Sequence, residues 1–357
     1  MIYLQAELHN VEALVEVPDR PGVLLQRVPE SVRAGLIEDG QRQARRAAMA
    51  EIRFVAEGDA AELTLASFGE SSRVQIYYGE YWVEERTIGE RSETLTFGAR
   101  EPRFQFDAPW SESVPRRSFG RVWRIVLHGG EVHLLGLSGA SLRPPLMDEK
   151  PKLRYLAYGT SITYGGASPE ATYVAHAAWR LGLDPINLGM PGAAFCEPAM
   201  AEHIANRQDW DIATLCLSVN MLNRGVTTEE FAARAGAMVR KIASAHPNKP
   251  VLCIGLFTGF ADLGWTWPGR VVPSTSDAYR EALKHAAEKS GFANVRYVDG
   301  RELFDDWRGL SHDLLHPSPM GMALIGEKLA ARMSPLLAGA SAGAQARGDK
   351  NGFESSE

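Results

Sequence analysis

The hydrophobic pattern of the chain changes character once, near residue 150. Before about residue 143, apolar residues come in short runs that alternate with polar ones, at 51–55, 62–66, 74–78, 104–106, 122–126 and 132–135, with Gly, Pro and acidic turns between them. A period of two sends successive side chains to opposite faces, so these runs read as half-buried antiparallel strands of a β-sandwich, jelly-roll-like in type. Residues 31–49 break the rhythm with a partly helical pattern and read as an excursion between strands.

After residue 152 the rhythm becomes apolar run, loop and amphipathic stretch, repeated about five times. Strands are expected at 153–158, 185–188, 212–218, 251–257 and 295–298, with helices among them at 173–181, 228–245 and 276–289. That alternation predicts a five-stranded parallel sheet covered by helices, a flavodoxin-like α/β/α domain whose ligand site lies beyond the carboxyl ends of the strands. Arg143-Pro144-Pro145, followed by Asp148-Glu149-Lys150-Pro151, reads as a stiff linker. The expected organisation is thus a sandwich over 1–145, an α/β domain over 152–337, and a disordered tail over 338–357, which is rich in Ala, Gly, Ser and charge.

Composition narrows the partners. A chain of 357 residues, 45% apolar and 23% charged, has material for two cores. A net charge of -6 argues against nucleic acid and for a neutral or weakly charged small substrate. No apolar run approaches the roughly 18 residues of a spanning helix, and the start lacks a basic region leading into an apolar one, so neither membrane nor secretion is expected and the chain reads as cytoplasmic. The odd cysteines Cys196, Cys216 and Cys253 suit a reducing compartment. A homo-oligomer stays open.

Four loops at the expected strand ends carry groups of chemical use. Gly159-Thr160-Ser161-Ile162-Thr163-Tyr164-Gly165 follows the first parallel strand, which exposes a serine hydroxyl at the sheet edge with its own N–H in the same space. A Ser/Thr/Gly turn is the bland alternative, and a phosphate loop is disfavoured because its Lys-Ser/Thr ending is missing. In Asp313-Leu314-Leu315-His316-Pro317-Ser318-Pro319, Pro317 disfavours helix at His316, while Ser318 and Pro319 suit the cap and first position of the next helix. Asp313 can reach Nδ1 of His316 within one tight turn and leave Nε2 free to take a proton. A capping Asp beside a surface His is the alternative here; His312 competes, without that spacing.

Two further loops, Asn187-Leu188-Gly189-Met190-Pro191-Gly192 and Leu217-Ser218-Val219-Asn220-Met221, end the second and third strands. The N–H of Gly192, the Asn220 amide and the N–H of Ser161 would together make donors for a developing oxyanion. Singly, a loop Gly and a strand-end Asn are turn residues; it is their coincidence on one sheet edge that counts.

These four segments, in this order and over roughly 152–337, resemble the sequence blocks of the SGNH (GDSL-like) hydrolase superfamily. The resemblance implies a serine esterase with a triad of Ser161, His316 and Asp313, an oxyanion hole from Ser161, Gly192 and Asn220, and no metal or other cofactor. With the β-rich first half and the Arg-Pro-Pro linker, the chain is similar to two-domain esterases that include carbohydrate acetylesterases. It departs from the family pattern at Thr160, where an Asp is usual, and at Ser218 and Met221, where Gly and Asp are usual. Those positions transfer no proton, so the reaction class survives while the subfamily is weakened.

The expected activity is hydrolysis of short-chain, above all acetyl, esters on a carbohydrate or similar small molecule. The alternatives are a lipase or thioesterase with the same triad and a non-catalytic glycan-binding protein. A long aromatic loop over 257–270 supplies Phe260, Trp265 and Trp267 as candidate substrate contacts, with packing of those rings under the loop the equal alternative. His176, His203 and His285 show no ligand spacing, and two of the three sit within helices, where a surface role is the expected reading.

Overall fold

A computed structural model describes residues 1–57, 60–98, 119–165 and 172–348. The expected strand at 104–106 lies outside the described residues. The chain divides into two compact units, residues 1–153 with 182–193, and residues 154–181 with 194 onward.

The first half contains strands β1 (Ile2–Tyr3), β2 (Ala6–His9), β3 (Ala13–Val15), β4 (Val23–Gln26), β5 (Ala47–Ala56), β6 (Ala60–Phe68), β7 (Ser72–Tyr78), β8 (Tyr81–Ile88), β9 (Glu93–Gly98), β10 (Trp123–Gly129), β11 (Glu131–Gly139) and β12 (Leu142–Arg143). They form two antiparallel sheets, one ordered β1-β2-β5-β10-β7-β8 with β12 beside β5, the other β3-β4-β11-β6-β9. Alternation explains the core between them: Ile52, Phe54, Ile76 and Ile125 of the first sheet share one apolar cluster with Leu63, Leu65, Leu95 and Phe97 of the second. Phe54 meets Phe97 edge-on at 5.3 Å, and Phe97 meets Trp123 at 5.1 Å. The excursion consists of two short helices, Glu30–Ala34 and Glu38–Arg45, and the helical reading overran into β5 because Arg46 is already extended.

β5 departs from the half-buried expectation, because its polar face is buried as well. Arg53 is fully buried and donates to Glu51 at 2.7 Å, to Asp184 at 2.6 and 2.9 Å and to Glu7 at 3.2 Å. Arg124 closes on Glu51 at 2.8 Å and Lys150 on Glu7. A charged face can be buried in this way only when each ion has its counter-ion. The linker is likewise structured, with the turn Met147–Glu149 held by Arg143 on Glu149 at 2.7 and 2.9 Å.

The second half carries β13 (Arg154–Gly159), β14 (Asp184–Gly189), β15 (Ile212–Cys216), β16 (Val251–Ile254) and β17 (Val295–Val298), in the sheet order β14-β13-β15-β16-β17. β13, β15, β16 and β17 pair in parallel, and this order with its first two strands exchanged is the flavodoxin-like one. β15 and β16 stop earlier than the apolar runs predict. Leu217, Leu256 and Phe257 extend those runs, yet they are buried in loops above the sheet.

The helices Tyr173–Leu181, Thr228–Ala245 and Ser276–Glu288 fall where the periodicity put them, and Thr227 and Thr275 cap the last two. The final helix, Pro319–Gly348, runs on past Leu337, as the strong helix propensity of its Ala-rich end favours. The three cysteines are buried and unpaired. Among the described residues, no helix is long and apolar enough to cross a membrane.

Candidate active site

The loop after β13 starts with a constraint. A side chain at Gly159 would stand 2.2 Å from Thr163 Oγ1 and 2.7 Å from the Cys216 carbonyl, so only glycine lets the strand turn there. Thr160 then caps the short helix Ser161–Tyr164, its hydroxyl accepting from Ile162 N–H at 3.3 Å. Ser161 is the first residue of that helix, so its own N–H has no intrahelical acceptor and is available to a ligand.

His316 comes from the other end of the domain. The loop 310–317 closes through the bridge between Leu310 and Pro317 and the bond from Ser311 N–H to the His316 carbonyl at 2.7 Å. Leu314 takes a left-handed conformation at φ 52°, which folds the chain back on Asp313. Ser318 caps the following helix through Gly321 N–H at 3.3 Å. His316 Nε2 receives the Ser161 hydroxyl at 2.7 Å, and its Nδ1 donates to Asp313 Oδ2 at 2.6 Å. Asp313 Oδ1 takes the backbone N–H groups of Leu315 and His316, each at 3.0 Å. Burial raises the Asp313 pKa, but the bonds from the His316 ring and from both N–H groups outweigh it and hold the carboxyl below its usual range. It is therefore an anion that fixes the tautomer of His316.

Asn220 lies in the helix Val219–Asn223, entered through Ser218 at φ 109°. Its side-chain oxygen accepts Ala194 N–H at 3.1 Å, which commits that end and leaves Nδ2 as the donor. Gly192 occupies a turn closed by Ala193 N–H on the Met190 carbonyl at 3.1 Å, where its φ of 66° calls for glycine. That turn follows the carboxyl end of β14.

The aromatic loop divides its expected residues. Phe260 is buried and meets Trp267 edge-on at 5.3 Å, whereas Trp265 is 57% exposed and Trp267 41%. The loop is tied to the histidine loop by Phe260 N–H on the Leu314 carbonyl at 2.8 Å.

Sequence reasoning missed what organises this region. Arg280, nearly fully buried on the helix Ser276–Glu288, binds the carbonyls of Leu256 and Phe257 at 3.0 and 3.1 Å and Asp262 at 2.6 and 2.9 Å. An arginine beside Tyr279 and Leu283 on the apolar stripe was the available signal. His203 is buried, and burial with the nearby Arg207 pushes its pKa down to about 4.

Residues 157–324 match the description GDSL-like lipase/acylhydrolase, a stretch that contains Ser161, Gly192, Asn220, Asp313 and His316. This stretch, a little under half of the chain, is similar to that family. Among solved structures, the salicylyl-acyltransferase SsfX3 from a tetracycline biosynthetic pathway is similar at a TM-score of 0.73 and 19% identity, over 93% of this chain and 95% of that one. A putative GDSL-like lipase from Bacteroides ovatus has a TM-score of 0.65 at 18% identity, over 87% and 91%. A family two carbohydrate esterase from Clostridium thermocellum, solved with cellohexaose, has 0.57 at 16%, over 82% and 94%. At these identities the likeness is one of fold, and it extends over both halves of the chain. No curated protein matches the sequence.

Proposed function

We propose that this chain is a serine esterase that hydrolyses short-chain, chiefly acetyl, esters of a carbohydrate or similar small alcohol. The carrying observation is the run of hydrogen bonds from Ser161 Oγ through His316 to Asp313, at 2.7 and 2.6 Å. His316 Nε2 takes the Ser161 proton as Oγ bonds to the ester carbonyl carbon. The oxyanion is received by the N–H groups of Ser161 and Gly192 and by Asn220 Nδ2. As the tetrahedral intermediate collapses, the bond to the alcohol oxygen breaks and the proton passes from His316 to the leaving alkoxide. Water, deprotonated by the same imidazole, then releases the acid and frees Ser161.

The carbohydrate side of the reading is supported by the exposed rings of Trp265 and Trp267, on a loop bonded to the residue two before His316. Flat apolar faces receive sugar rings while the hydroxyls stay free to hydrogen-bond. A panel of p-nitrophenyl esters of increasing chain length, assayed with acetylated xylose and acetylated oligosaccharide, tests the whole proposal. The expected result is acetate release from both classes, with rates falling as the chain lengthens. A wild-type protein inert towards every ester, or one whose rates climb with chain length, would overturn it.

A further inference from the structure

Beside the site lies a small, partly open space of about 30 Å³, lined chiefly by Ile162, Val219, Leu222, Leu256, Phe260 and Leu315, with Thr160, Thr258 and Ser276 also on its wall. Its position follows from chain adjacency: Ile162 is next to Ser161, Val219 next to Asn220, and Leu315 next to His316. Three residues of the reacting constellation therefore hold a wall of this cavity one position away. The remaining walls come from the loop after β16, the segment that Arg280 clamps through the Leu256 and Phe257 carbonyls and Asp262. The buried Arg280 that fixes this loop makes the cavity a built feature with a set size.

We propose that this cavity receives the acyl chain of the ester, and that Leu222 and Leu256 limit its length; the inference rests on the esterase reading above. Two parts of the substrate meet Ser161, and their needs differ. The alcohol must take up a proton and leave after the first step, which suits an open polar surface. The acyl group stays bonded to Oγ through both steps, and burying its hydrocarbon in an apolar space is favourable. The size agrees with a short chain. A single water needs roughly 10–15 Å³ on this measure, so the space takes one or two carbons beyond the carbonyl and no more. Phe260 thereby moves to the acyl side, apart from the exposed Trp265.

The test measures kcat/KM on p-nitrophenyl acetate, butyrate and hexanoate for the full chain, Leu222→Ala and Leu256→Ala. Every ester uses the same oxyanion donors, so any disturbance of Asn220 by the change at Leu222 falls on all of them and cancels in the butyrate-to-acetate ratio. Each methylene newly accommodated is worth about 0.8 kcal/mol, or roughly fourfold, so the ratio should rise about 15-fold in each variant. A variant that does not fold is replaced by Leu222→Val or Leu256→Val, in which the rise should be about fourfold. If wild type turns over acetate and the ratio stays at its wild-type value in the folded variants at both positions, the pocket assignment is overturned while the esterase reading stands. If wild type turns over none of the esters, both fall together.

Discussion

His316 bridges Ser161 and Asp313 with its two ring nitrogens, at 2.7 Å on one side and 2.6 Å on the other. A serine hydroxyl is a weak nucleophile, and such an arrangement supplies both the base and the charge that steadies it. Ser161→Ala should abolish ester turnover and labelling by a fluorophosphonate together, with the fold intact by circular dichroism. Labelling that persists in the variant would move the nucleophile elsewhere.

The partner carboxylate has its own signature. Because Asp313 is held below the usual carboxylate range, it keeps its charge on moderate acidification, and its support is lost only as pH falls through that lowered value. His316 takes the serine proton, so His316→Ala should remove most of the rate. Asp313→Asn should leave the backbone bonds of the loop able to form and still reduce kcat by about 10³–10⁴-fold, because the wrong tautomer of His316 is then favoured. Initial rates of both variants decide the matter, and a wild-type rate in His316→Ala would refute the assignment.

Asn220 offers a test of the oxyanion donors. With its oxygen committed to Ala194 N–H, Nδ2 is the end left to bind developing charge. Asn220→Ala should lower kcat by about 10²–10³-fold with KM little changed, the mark of an interaction made in the transition state. A loss confined to KM would assign Asn220 to substrate binding instead.

Much of this was legible in the chain. The helices 173–181 and 228–245 were readable because each has a single buried face whose period survives in the sequence. Ser161, Asp313 and His316 were readable because Pro317 and the spacing of Asp313 restrict the backbone locally. Less legible was anything that depends on partners distant in sequence. Arg53 looked like the polar residue of a half-exposed strand, and nothing near it announces that Asp184, over a hundred residues on, would neutralise it in the interior. Leu217, Leu256 and Phe257 likewise read as strand, since an apolar run does not say whether its burial lies in a sheet or in a cavity wall.

The buried charges around Arg53 make a stability prediction. Burial pushes the carboxyls of Asp184, Glu51 and Glu7 up, but Arg53 with Arg124, Lys150 and His9 outweighs it and holds all three below their usual range. Burial, followed by the charge of Arg53, holds His9 down as well. For groups lowered on folding, the unfolded chain binds protons that the folded one refuses, so their stabilisation is full above the unfolded pKa and erodes as pH falls. The Tm should therefore drop below about pH 6.5 and more steeply below about pH 4. Arg53→Met leaves the carboxylates buried without their main counter-ion, a loss of about 3–5 kcal/mol at neutral pH, and it should flatten the acid dependence because protonation then relieves the site. Thermal unfolding of both proteins from about pH 3 to about pH 8 checks this, and equal Tm values at neutral pH would show that the network carries no stability.

Trp265 offers a test of the alcohol side of the proposed substrate, apart from the acyl side. Its backbone N–H bonds to the Phe260 carbonyl at 3.3 Å, which holds the loop in place, while its ring is 57% exposed. Trp267 differs, since its ring leans on Phe260, and removing it would disturb the cavity wall as well. If the Trp265 face receives a sugar ring, Trp265→Ala should raise KM for acetylated xylose or oligosaccharide by about tenfold, equivalent to about 1.4 kcal/mol of lost stacking, and leave kcat near wild type. The p-nitrophenyl acetate, butyrate and hexanoate esters carry no sugar, so their chain-length profile should be unchanged in the same variant. An equal effect on both substrates would point to a general disturbance of the loop bearing on His316. No effect on either would leave Trp265 a surface ring without a part in recognition, and the carbohydrate reading would lose its support in this loop.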